Sequence, residues 1–401
     1  MARTAICIGA GVIGMCSAYA LARRGWRVTL VDGEGGPAMG TSRANGAQLS
    51  YCYTDAVGNP AVLKSLPSLL LGNGGVTFGL SLRPRYLAWL AQFARNCSAR
   101  RFRENTLAVL ALAAESRRAM DALCERHELD FAHRVAGKVH LLYSDKDWAY
   151  AENLRALKLQ AGCVQTIIPR SEFTALDPAL DGLDCDVTGA ISTPSEVVGD
   201  PLLFCRALLD TLVAEYGVTA RFNAKAATID ERRGQGRVVL SSGEELTADH
   251  IVAATGIGSA RLLKAVGERV AVEPMKGYSF EMPPLPGSPR ISVTDAKRRL
   301  VITNLGDRMR VAGIAELGNA ARSIDADRIN WLITAAKECL PGGGDFDKAT
   351  GFWSGLRPST PNSQPIIRKA SETLSINTGH GALGWTLAMG SGERLADLVG
   401  A

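Results

Sequence analysis

Three glycines and one aspartate near the amino end have types and spacing suited to binding a dinucleotide. The run reads Gly9-Ala10-Gly11-Val12-Ile13-Gly14, and Asp32 follows it. Gly9 permits a tight turn, Gly11 lets the backbone approach a pyrophosphate, and Gly14 allows a helix to pack closely on a strand. Asp32 would accept hydrogen bonds from ribose hydroxyls, and an acid there disfavours the 2′-phosphate of NADP. The motif alone fits either NAD or FAD.

The elements that must position this turn surround it. Residues 5–8 form an apolar run long enough for one buried parallel strand. The segment 15–24 is rich in helix formers and stops at Gly25, and 26–31 predicts a second strand. A helix that begins after the glycines offers free N–H groups and the positive end of its dipole to phosphates. The order strand, glycine turn, helix, strand is that of a βαβ dinucleotide unit.

A second group of residues lies near the carboxyl end. Arg357 ends the run Gly-Phe-Trp-Ser-Gly-Leu-Arg, and a glycine-dense loop at 377–386 precedes a predicted helix. A guanidinium binds a carboxylate through two parallel hydrogen bonds. Backbone N–H groups of 381–384, at a helix start, would stabilise negative charge on a bound ring. Taken with the amino-terminal motif, this pattern favours a flavin held from both ends of the chain, beside a carboxylate substrate.

Composition narrows the class of protein. The chain has 401 residues, enough for two domains, with 46% hydrophobic and 21% charged residues, as in ordinary globular enzymes. The net charge of +5 is mild, and no basic run with interleaved aromatics indicates nucleic-acid binding. Nine cysteines without C-x-x-C or Cys/His spacing predict neither a disulfide framework nor a metal site. Without an 18-residue apolar window or a signal peptide, the sequence predicts a cytoplasmic protein.

Nucleotide-type elements recur at the start of the chain, at about 190–265 and at the end, with segments of different character between them. One of them, the predicted strand 250–256, ends at a glycine that can bring Ala254, Thr255 and Gly256 close to the dinucleotide. We therefore predict a discontinuous nucleotide-binding domain with a second domain inserted twice. The first comprises 1–84, 185–268 and 350–401, and the second comprises 85–184 and 269–349.

Five motifs carry a family resemblance. They are Gly9-x-Gly11-x-x-Gly14, Thr41-Ser42-x-Ala44-Asn45, Lys276-Gly277-Tyr278-Ser279, Phe352-Trp-x-Gly-Leu-Arg357-Pro-x-Thr-Pro361 and Asn377-Thr-Gly-His-Gly-x-Leu-Gly-Trp385-Thr. Together they resemble the bacterial FAD-dependent D-amino acid dehydrogenases, within the wider superfamily of D-amino acid oxidase, glycine oxidase and sarcosine oxidase. The resemblance runs from end to end of the chain. The last two motifs are specific to the dehydrogenase branch, whereas the first is shared by many nucleotide enzymes.

The resemblance implies a mixed α/β fold, in which a discontinuous Rossmann-like FAD-binding domain carries an inserted antiparallel-sheet substrate domain. It also implies tightly but non-covalently bound FAD. The implied reaction is oxidative deamination of a D-amino acid, with hydride passing from Cα to flavin N5. The imino acid then hydrolyses to a 2-oxo acid and ammonia, and the electrons pass to a membrane quinone. Such a reaction needs positioning more than acid–base machinery.

Site residues are carried over one by one. The arginine that binds the substrate carboxylate matches Arg357, and Tyr53 and Tyr278 are candidates for hydroxyl donors to that carboxylate or for lids over the pocket. The other expected residues would contact the phosphates, the ribityl chain or the flavin ring. The cofactor-binding set is Gly9, Gly11, Val12, Ile13, Gly14, Asp32, Thr41, Ser42, Arg43, Asn45, Gly46, Gln48, Ala254, Thr255, Gly256, His380, Gly381, Leu383, Gly384, Trp385 and Thr386.

One departure leaves the substrate side chain open. The segment 51–55 differs from the Pro-Gly-Tyr form of the D-alanine-preferring members, and only Tyr53 keeps its place. Two alternative functions therefore stay open. One is an oxidase or dehydrogenase of glycine, sarcosine or a cyclic secondary amine such as D-proline or hydroxy-D-proline. The other is a flavin-carrying subunit of a larger complex, although Arg357 and the two tyrosines favour a working substrate pocket.

A basic, aromatic segment could meet a membrane. Residues 85–101 predict a helix with Tyr86, Trp89 and Phe93, flanked by several arginines. Such a helix can lie on an anionic membrane surface, where a quinone would be reached. The alternative, which the sequence favours, is that the aromatic side chains pack on the second domain. We expect a cytoplasmic protein, with this helix as the candidate for peripheral contact with the inner face of the cell membrane.

Overall fold

The computed structural model describes residues 2–62, 76–79 and 81–400. The leucine-rich stretch at 61–80 lies largely outside these ranges. In chain order, the strands β1 to β21 are Thr4–Ile8, Arg27–Val31, Gln48–Leu49, Val76–Phe78, Arg134–Val135, Lys138–Leu142, Thr166–Pro169, Gly189–Thr193, Val197–Val198, Thr219–Arg221, Ala226–Arg232, Gln235–Leu240, Glu245–Ala248, His250–Ala253, Glu273–Met282, Ser292–Asp295, Leu300–Asn304, Met309–Leu317, Thr350–Ser359, Ile366–Ser371 and Leu374–Thr378.

The α-helices of the described residues, α1 to α9, are Val12–Arg23, Pro84–Asn96, Ala99–Arg126, Asp145–Leu159, Phe173–Leu176, Pro201–Tyr216, Ser259–Lys264, Ala326–Cys339 and Gly384–Val399. Short 3₁₀ turns lie at Arg170–Glu172, Pro178–Gly182, Gly256–Gly258, Pro341–Gly343, Phe346–Lys348 and Gly381–Leu383. A three-stranded antiparallel sheet of β11, β12 and β13 and a small one of β3, β9 and β5 accompany two larger sheets.

The first large sheet carries the glycine turn. In the described part of the chain it has six strands in the order β10-β2-β1-β14-β21-β20, all parallel to their neighbours except β20. Buried apolar strands with helices on their faces are the arrangement that parallel sheets require. The backbone N–H of Ala254 donates to the carbonyl of Ile8 at 2.9 Å, so the carboxyl ends of β1 and β14 meet at one edge. Gly9 and Ala254 are therefore neighbours.

As far as the structure describes the chain, the second large sheet has nine strands and is mostly antiparallel. Over the described residues its order is β19-β15-β18-β17-β16-β6-β8-β7, with β4 beside β18, and its pairs are antiparallel except β16–β6 and β18–β4. Because side chains alternate along a strand, β15 presents its residues to two faces. Tyr278 and Phe280 join the apolar core that includes Leu332 of α8. On the opposite face, Ser279 Oγ donates to the carbonyl of Ala44 at 2.6 Å.

The expected mixed α/β fold is confirmed, with a mostly parallel and a mostly antiparallel sheet. Sheet membership departs from the predicted domain boundaries at three strands. Val76–Phe78, Gly189–Thr193 and Thr350–Ser359, all placed with the nucleotide-binding segments, hydrogen-bond within the nine-stranded sheet instead. Sequence alone could not show this, because a strand's partner is set by contacts distant in the chain. The domain boundaries themselves remain a prediction.

The aromatic residues of α2 are core residues. Tyr86, Trp89 and Phe93 are at most 4% exposed, and the Trp89 indole N–H donates to the carbonyl of Ser359 at 3.0 Å. The rings of Trp89 and Phe93 stack with their centroids 5.3 Å apart. The packing alternative is therefore correct, and these aromatic side chains do not face a membrane. In the described ranges, no helix combines the length and the apolar character needed to cross a bilayer.

His250 shows how deeply the parallel sheet is buried. Its Nδ1–H donates to the carbonyl of Glu372 at 3.1 Å, and its Nε2 accepts from Ser375 Oγ at 2.9 Å. Burial lowers the pKa of this imidazole to about 4. The folded protein therefore keeps His250 neutral under conditions where an unfolded chain protonates it.

We expect the free energy of unfolding to fall as the pH is lowered from about 7 to about 5, because unfolded His250 takes up a proton that the folded protein excludes. The stabilisation is complete above the ordinary histidine pKa and is lost toward the folded pKa of about 4. Replacing His250 with Gln should flatten the plot of unfolding midpoint against pH. Ser375→Ala keeps the buried imidazole and should retain the slope. An unchanged slope in His250→Gln would contradict this account.

Candidate active site

The turn between β1 and α1 has no space for side chains at its glycines. A Cβ on Gly14 would lie 1.7 Å from the carbonyl oxygen of Gly9, and one on Gly9 would lie 2.6 Å from that of Ala254. Gly9 also adopts a φ of +108°, which side-chain-bearing residues rarely adopt. Ser42 Oγ accepts from the backbone N–H of Val12 at 3.2 Å, which ties the segment after β2 to the helix start. The glycines thus leave backbone, rather than side chains, at this edge of the sheet.

Asp32 holds the same turn from the end of β2. Its carboxylate accepts from the backbone N–H of Ala10 at 2.6 Å and from that of Glu34 at 2.8 Å. Burial raises the pKa of this carboxyl group, although these hydrogen bonds oppose the rise. A carboxylate keeps further lone pairs beyond two bonds, so Asp32 can both order the turn and accept from a ribose hydroxyl.

A second helix, α9 from the carboxyl end of the chain, packs against α1. Helices α1 and α9 pack so tightly that a Cβ on Gly392 would lie 2.5 Å from the carbonyl oxygen of Cys16. Asn377, just before the glycine-dense loop, donates from Nδ2 to Ser17 Oγ at 3.0 Å. Neither helix has an acid in its first turn or a side-chain cap from its own N-cap residue. The fold therefore packs together two helices from opposite ends of the chain, and no acid of the first turn neutralises the positive end of either dipole.

The side chains of the carboxyl-terminal motif point inward. His380 Nε2 lies 2.9 Å from Ser391 Oγ, and burial lowers the pKa of His380 to about 3. Trp385 donates from its indole to the carbonyl of Gly199 at 3.0 Å, and Thr386 Oγ1 accepts from the backbone N–H of Ser50 at 3.0 Å. These side chains order the loop, which leaves the backbone at Gly381 and Gly384 to face a ligand, whereas the N–H of Leu383 donates to the carbonyl of His380 at 3.1 Å.

The segment 41–50 crosses the face of the nine-stranded sheet. Thr41 donates to the carbonyl of Leu356 at 2.7 Å, and the carbonyl of Gly46 accepts from Thr303 at 2.8 Å. Asn45 Oδ1 accepts from the backbone N–H of Ala47 at 2.9 Å, whereas Arg43 is exposed. Within the described chain, the buried amide nitrogen of Gln48 has no hydrogen-bond partner. An unpaired donor at this place is suited to a polar ligand atom.

Arg357 is held against the backbone of β15. A Cβ on Gly277 would lie 2.2 Å from Nη2 and 2.4 Å from Cζ of Arg357, so only a glycine admits the guanidinium. Nη1 donates to the carbonyl of Ile314 at 2.8 Å. Ile314 has a φ of +61°, in the left-handed region that a β-branched residue rarely occupies. The carbonyl of Ile314 accepts a hydrogen bond from the guanidinium of Arg357, and Gly277 leaves space for it. Together they fix the direction of the guanidinium.

Arg357 is a charged group without an ion-pair partner in the described residues, and it is therefore suited to binding an anion. Among the residues that the structure describes, no carboxylate forms an ion pair with it, and burial lowers its pKa to about 10. The group therefore stays charged at neutral pH. A buried charge without a partner is costly, and a bound carboxylate would offset that cost through charge-assisted hydrogen bonds.

Trp353 is a neighbour of this arginine that sequence analysis did not select. A Cβ on Gly355 would lie 1.9 Å from the indole of Trp353, so the ring lies across that glycine. Gly355 pairs with Gly277, over which the guanidinium lies. Paired glycines thus seat an indole and a guanidinium side by side. The signal was present in the Trp-x-Gly-x-Arg spacing, which puts both side chains on one face of a strand.

The prediction for Tyr278 is wrong. Its hydroxyl donates to Glu316 Oε2 at 3.2 Å, and its ring joins the core on the α8 face of the sheet. Arg357 lies over Gly277, the adjacent position in β15, and hence on the opposite face. Because consecutive residues of a strand alternate between faces, Tyr278 is directed away from the carboxylate-binding group.

Tyr53 is held by a cluster of buried polar groups. Its hydroxyl lies 3.1 Å from His140 Nε2, and the two rings stack at 4.4 Å. The ammonium groups of Lys138 and Lys158 lie 4.5 Å and 4.7 Å from the centre of the tyrosine ring. Burial raises the pKa of Tyr53 well above its usual value and lowers that of His140 to about 3. The hydroxyl therefore stays protonated and the imidazole neutral.

The turn that carries Tyr53 is fixed by Glu196. Its buried carboxylate accepts from the backbone N–H of Tyr51 at 2.8 Å and from that of Cys52 at 2.6 Å. Lys138 donates to Ser50 Oγ at 2.9 Å from the neighbouring strand. Sequence analysis missed these supports. Polar residues at alternate positions of the apolar strand 138–142 hinted at Lys138 and His140, but nothing in the sequence pointed to Glu196.

Comparison with known proteins identifies the family. The model of the family described as "FAD dependent oxidoreductase" (DAO) matches residues 4–398. The chain belongs to this family. A relative named D-amino acid dehydrogenase 2, from Ralstonia nicotianae, is 37% identical over 98% of this chain and 95% of its own length. A D-amino acid dehydrogenase from Vibrio vulnificus is 34% identical, over 98% of this chain and 95% of its own length.

Solved structures share the fold. Glycine oxidase from Bacillus cereus superposes with a TM-score of 0.75 at 20% identity, covering 100% of this chain and 95% of that one. L-proline dehydrogenase from P. horikoshii gives a TM-score of 0.75 at 18% identity, covering 99% and 93% of the two chains. This DAO-family protein is accordingly an enzyme, an FAD-dependent oxidoreductase. The glycine cradle, the two helix starts without a first-turn acid and the unpaired amide of Gln48 all fit that cofactor.

Replacing Gly14 with Ala should yield protein that purifies without FAD, because the added Cβ overlaps the carbonyl of Gly9 and displaces α1 from β1. The bound flavin absorbance per protein measures the effect. Gly36→Ala is the matched control, since no atom lies within 4 Å of its added Cβ. Full flavin content in Gly14→Ala would contradict the role of this turn.

Replacing Gly277 with Ala should push the guanidinium of Arg357 aside while leaving FAD bound. We expect a loss of kcat/KM of about 10-fold to 100-fold, as for other displaced positioning groups. Steady-state kinetics and the flavin spectrum together test this. Gly342→Ala, where the added Cβ meets open space, should behave like the wild type.

Proposed function

We propose that this enzyme oxidatively deaminates D-amino acids to 2-oxo acids and ammonia. The observation that carries the proposal is Arg357, a half-buried guanidinium with no carboxylate partner in the described chain, held next to a segment that we expect to bind FAD. An α-carboxylate is the anion that such a group binds best. The relatives named D-amino acid dehydrogenase, at 34–37% identity over 98% of the chain, support the same substrate class.

The protein's part in the reaction is to bind and orient the substrate. Arg357 has Nη1 bonded to Ile314, and its other N–H groups remain for the substrate carboxylate. The indole of Trp353 lies beside Arg357 and forms one wall of the substrate pocket. Tyr53 forms a second wall, and because its hydroxyl stays neutral it acts only as a hydrogen-bonding group. Bound FAD would supply the acceptor for the hydride from Cα. The substrate amine, which must be neutral to react, loses its proton to water.

Because the protein acts by orienting the substrate, the site needs no strong base. His140 and His380 both have a pKa of about 3, so they remain neutral during turnover at physiological pH. A positioned guanidinium and a preorganised helix start act by geometry and fixed charge. The backbone N–H groups at the start of α9 would stabilise negative charge on the flavin ring, as expected from their uncapped state.

Anaerobic reduction of the flavin tests the proposal. We expect D-amino acids to bleach the yellow protein and their L-enantiomers to leave it oxidised. Sarcosine, glycine and D-proline belong in the same panel, because bleaching by these alone would replace the proposal with amine oxidation. If no compound of the panel bleaches the flavin, the proposed catalytic function is wrong, and the alternative of a flavin-carrying subunit of a larger complex is favoured.

Replacing Arg357 with Lys should raise KM for the D-amino acid by about tenfold or more, since the ammonium keeps the charge but loses the paired hydrogen bonds. The visible spectrum of bound FAD should not change. Arg206→Lys, at an exposed position of α6, is the matched control. An unaltered KM in Arg357→Lys would move the carboxylate site elsewhere.

We further propose that a quinone accepts the electrons and that the basic surface around α2 meets the membrane. Exposed Leu82 and Leu87 adjoin arginines on this surface, and the side chain of Arg100 is 75% exposed. Cationic side chains attract anionic lipid headgroups, and exposed leucines can enter the interface. Sedimentation with phosphatidylglycerol vesicles should therefore be weakened by replacing Arg95, Arg100 and Arg103 with Gln. Equal sedimentation of variant and wild type would contradict this contact.

A further inference from the structure

Two cysteines from distant parts of the chain touch each other beside Tyr53. Cys52 and Cys163 form a small buried cluster with Leu110, and each is 7% exposed. Their thiols share a side-chain hydrogen bond. All nine cysteines lie in the described ranges and all are free thiols. Cysteines without a metal site or a disulfide framework are commonly inert apolar residues, but two thiols in contact can be joined by oxidation.

The surroundings of Cys52 and Cys163 shift the pKa values of the two thiols in opposite directions. The ammonium of Lys158 forms an ion pair with Asp55 at 2.9 Å and lies next to the cluster. The hydrogen bond from Cys52, followed by the charge of Lys158, lowers the pKa of Cys163. The same contact and burial raise the pKa of Cys52. A thiol that ionises more readily is the nucleophile, and an adjacent thiol that stays protonated can resolve its oxidised form.

Cys163 lies close to the surface of the protein. It lies in the turn after α4, between exposed Gly162 and Val164, the latter 69% exposed. Gly162 has a φ of +81°, so this turn depends on glycine geometry rather than on packing. A small movement of such a turn would admit a small oxidant and let the two sulfur atoms approach bonding distance.

We propose that Cys163 and Cys52 are a peroxide-sensitive thiol pair that closes to a disulfide. The thiolate of Cys163 attacks one peroxide oxygen, the O–O bond breaks, and hydroxide leaves, so Cys163 becomes a sulfenic acid. The thiol of Cys52 then attacks that sulfur, an S–S bond forms, and water leaves with the thiol proton. Two thiols lose two electrons, and hydrogen peroxide is reduced to two waters. A small dithiol reverses the change by exchange.

Closure would act on the wall of the substrate pocket. Cys52 lies between the two tyrosines of the turn that Glu196 holds through the backbone N–H groups of Tyr51 and Cys52. A disulfide would tie that turn to the end of α4 and shift Tyr53 relative to His140. This consequence rests on the proposed oxidation of D-amino acids, whereas formation of the disulfide does not.

The test is stoichiometric hydrogen peroxide added to the reduced holoenzyme, followed by alkylation, proteolysis and mass spectrometry. We expect a cross-linked pair of peptides containing Cys52 and Cys163, loss of two of the nine alkylatable thiols, and recovery of both with dithiothreitol. The KM for the D-amino acid should rise severalfold on oxidation and return on reduction. Full alkylation of both cysteines after treatment would overturn the proposal.

Variants separate this pair from general thiol oxidation. Cys163→Ser should leave Cys52 alkylatable and KM insensitive to peroxide, while Cys185→Ser, at an exposed cysteine, should keep the cross-link. Oxidation confined to Cys185 in the wild type would also overturn the proposal, and that measurement needs no variant to fold. Failure of flavin bleaching would remove the D-amino acid function but would leave the mass-spectrometric result unaffected.

Discussion

The structure depends on one uncompensated charge. Arg357 holds a half-buried guanidinium, and no carboxylate of the described chain forms an ion pair with it. Such a group is tolerated only where hydrogen bonds fix it and a ligand can neutralise it. Gly277 supplies the space, and Ile314, in a strained conformation, supplies the carbonyl. Ile314, whose carbonyl accepts from Arg357, has a strained backbone, and such strain is consistent with a preorganised binding site.

The position of that charge relative to the cofactor follows from a contact between the ends of the chain. Helix α9 packs on α1 through Gly392 against Cys16, and Asn377 of the glycine-dense loop donates to Ser17 of α1, so this loop is tied to the helix that follows the glycine turn. The segment 41–50 then joins this nucleotide edge to the second sheet, through Thr41 to Leu356 and Gly46 to Thr303. The arginine and the cofactor edge are therefore parts of one rigid arrangement, which suits a hydride transfer that requires orientation.

A second network of buried polar groups surrounds Tyr53. Two lysines, a neutral histidine and the carboxylates of Glu196 and Asp55 surround a single turn, so the positive and negative charges balance. In a low-dielectric interior each of these groups depends on the others, so the turn has little freedom. The thiol pair lies at the edge of this network, where a covalent change in the turn after α4 would reach Tyr53.

Local motifs sufficed for part of this description. The βαβ unit and the helix of 85–101 were predictable, because glycine spacing, apolar runs and helix formers act over short distances in the chain. The mixed fold and the FAD cofactor followed from the family resemblance. The same local reasoning failed at Tyr278, whose motif was recognised but whose face of the strand was not. It also could not decide whether the aromatic residues of α2 faced a membrane or the protein core.

What the sequence by itself determined is therefore the chemistry available: a dinucleotide turn, an arginine for a carboxylate and a tyrosine in a variable segment. Only the tertiary structure decided how these groups meet. It placed Trp353 beside Arg357 through paired glycines, and it gathered Lys138, His140 and Glu196 around Tyr53. The physical reason is that strand pairing and burial are long-range properties. A side chain's face, partner and pKa depend on residues more than a hundred positions away, which no local pattern records.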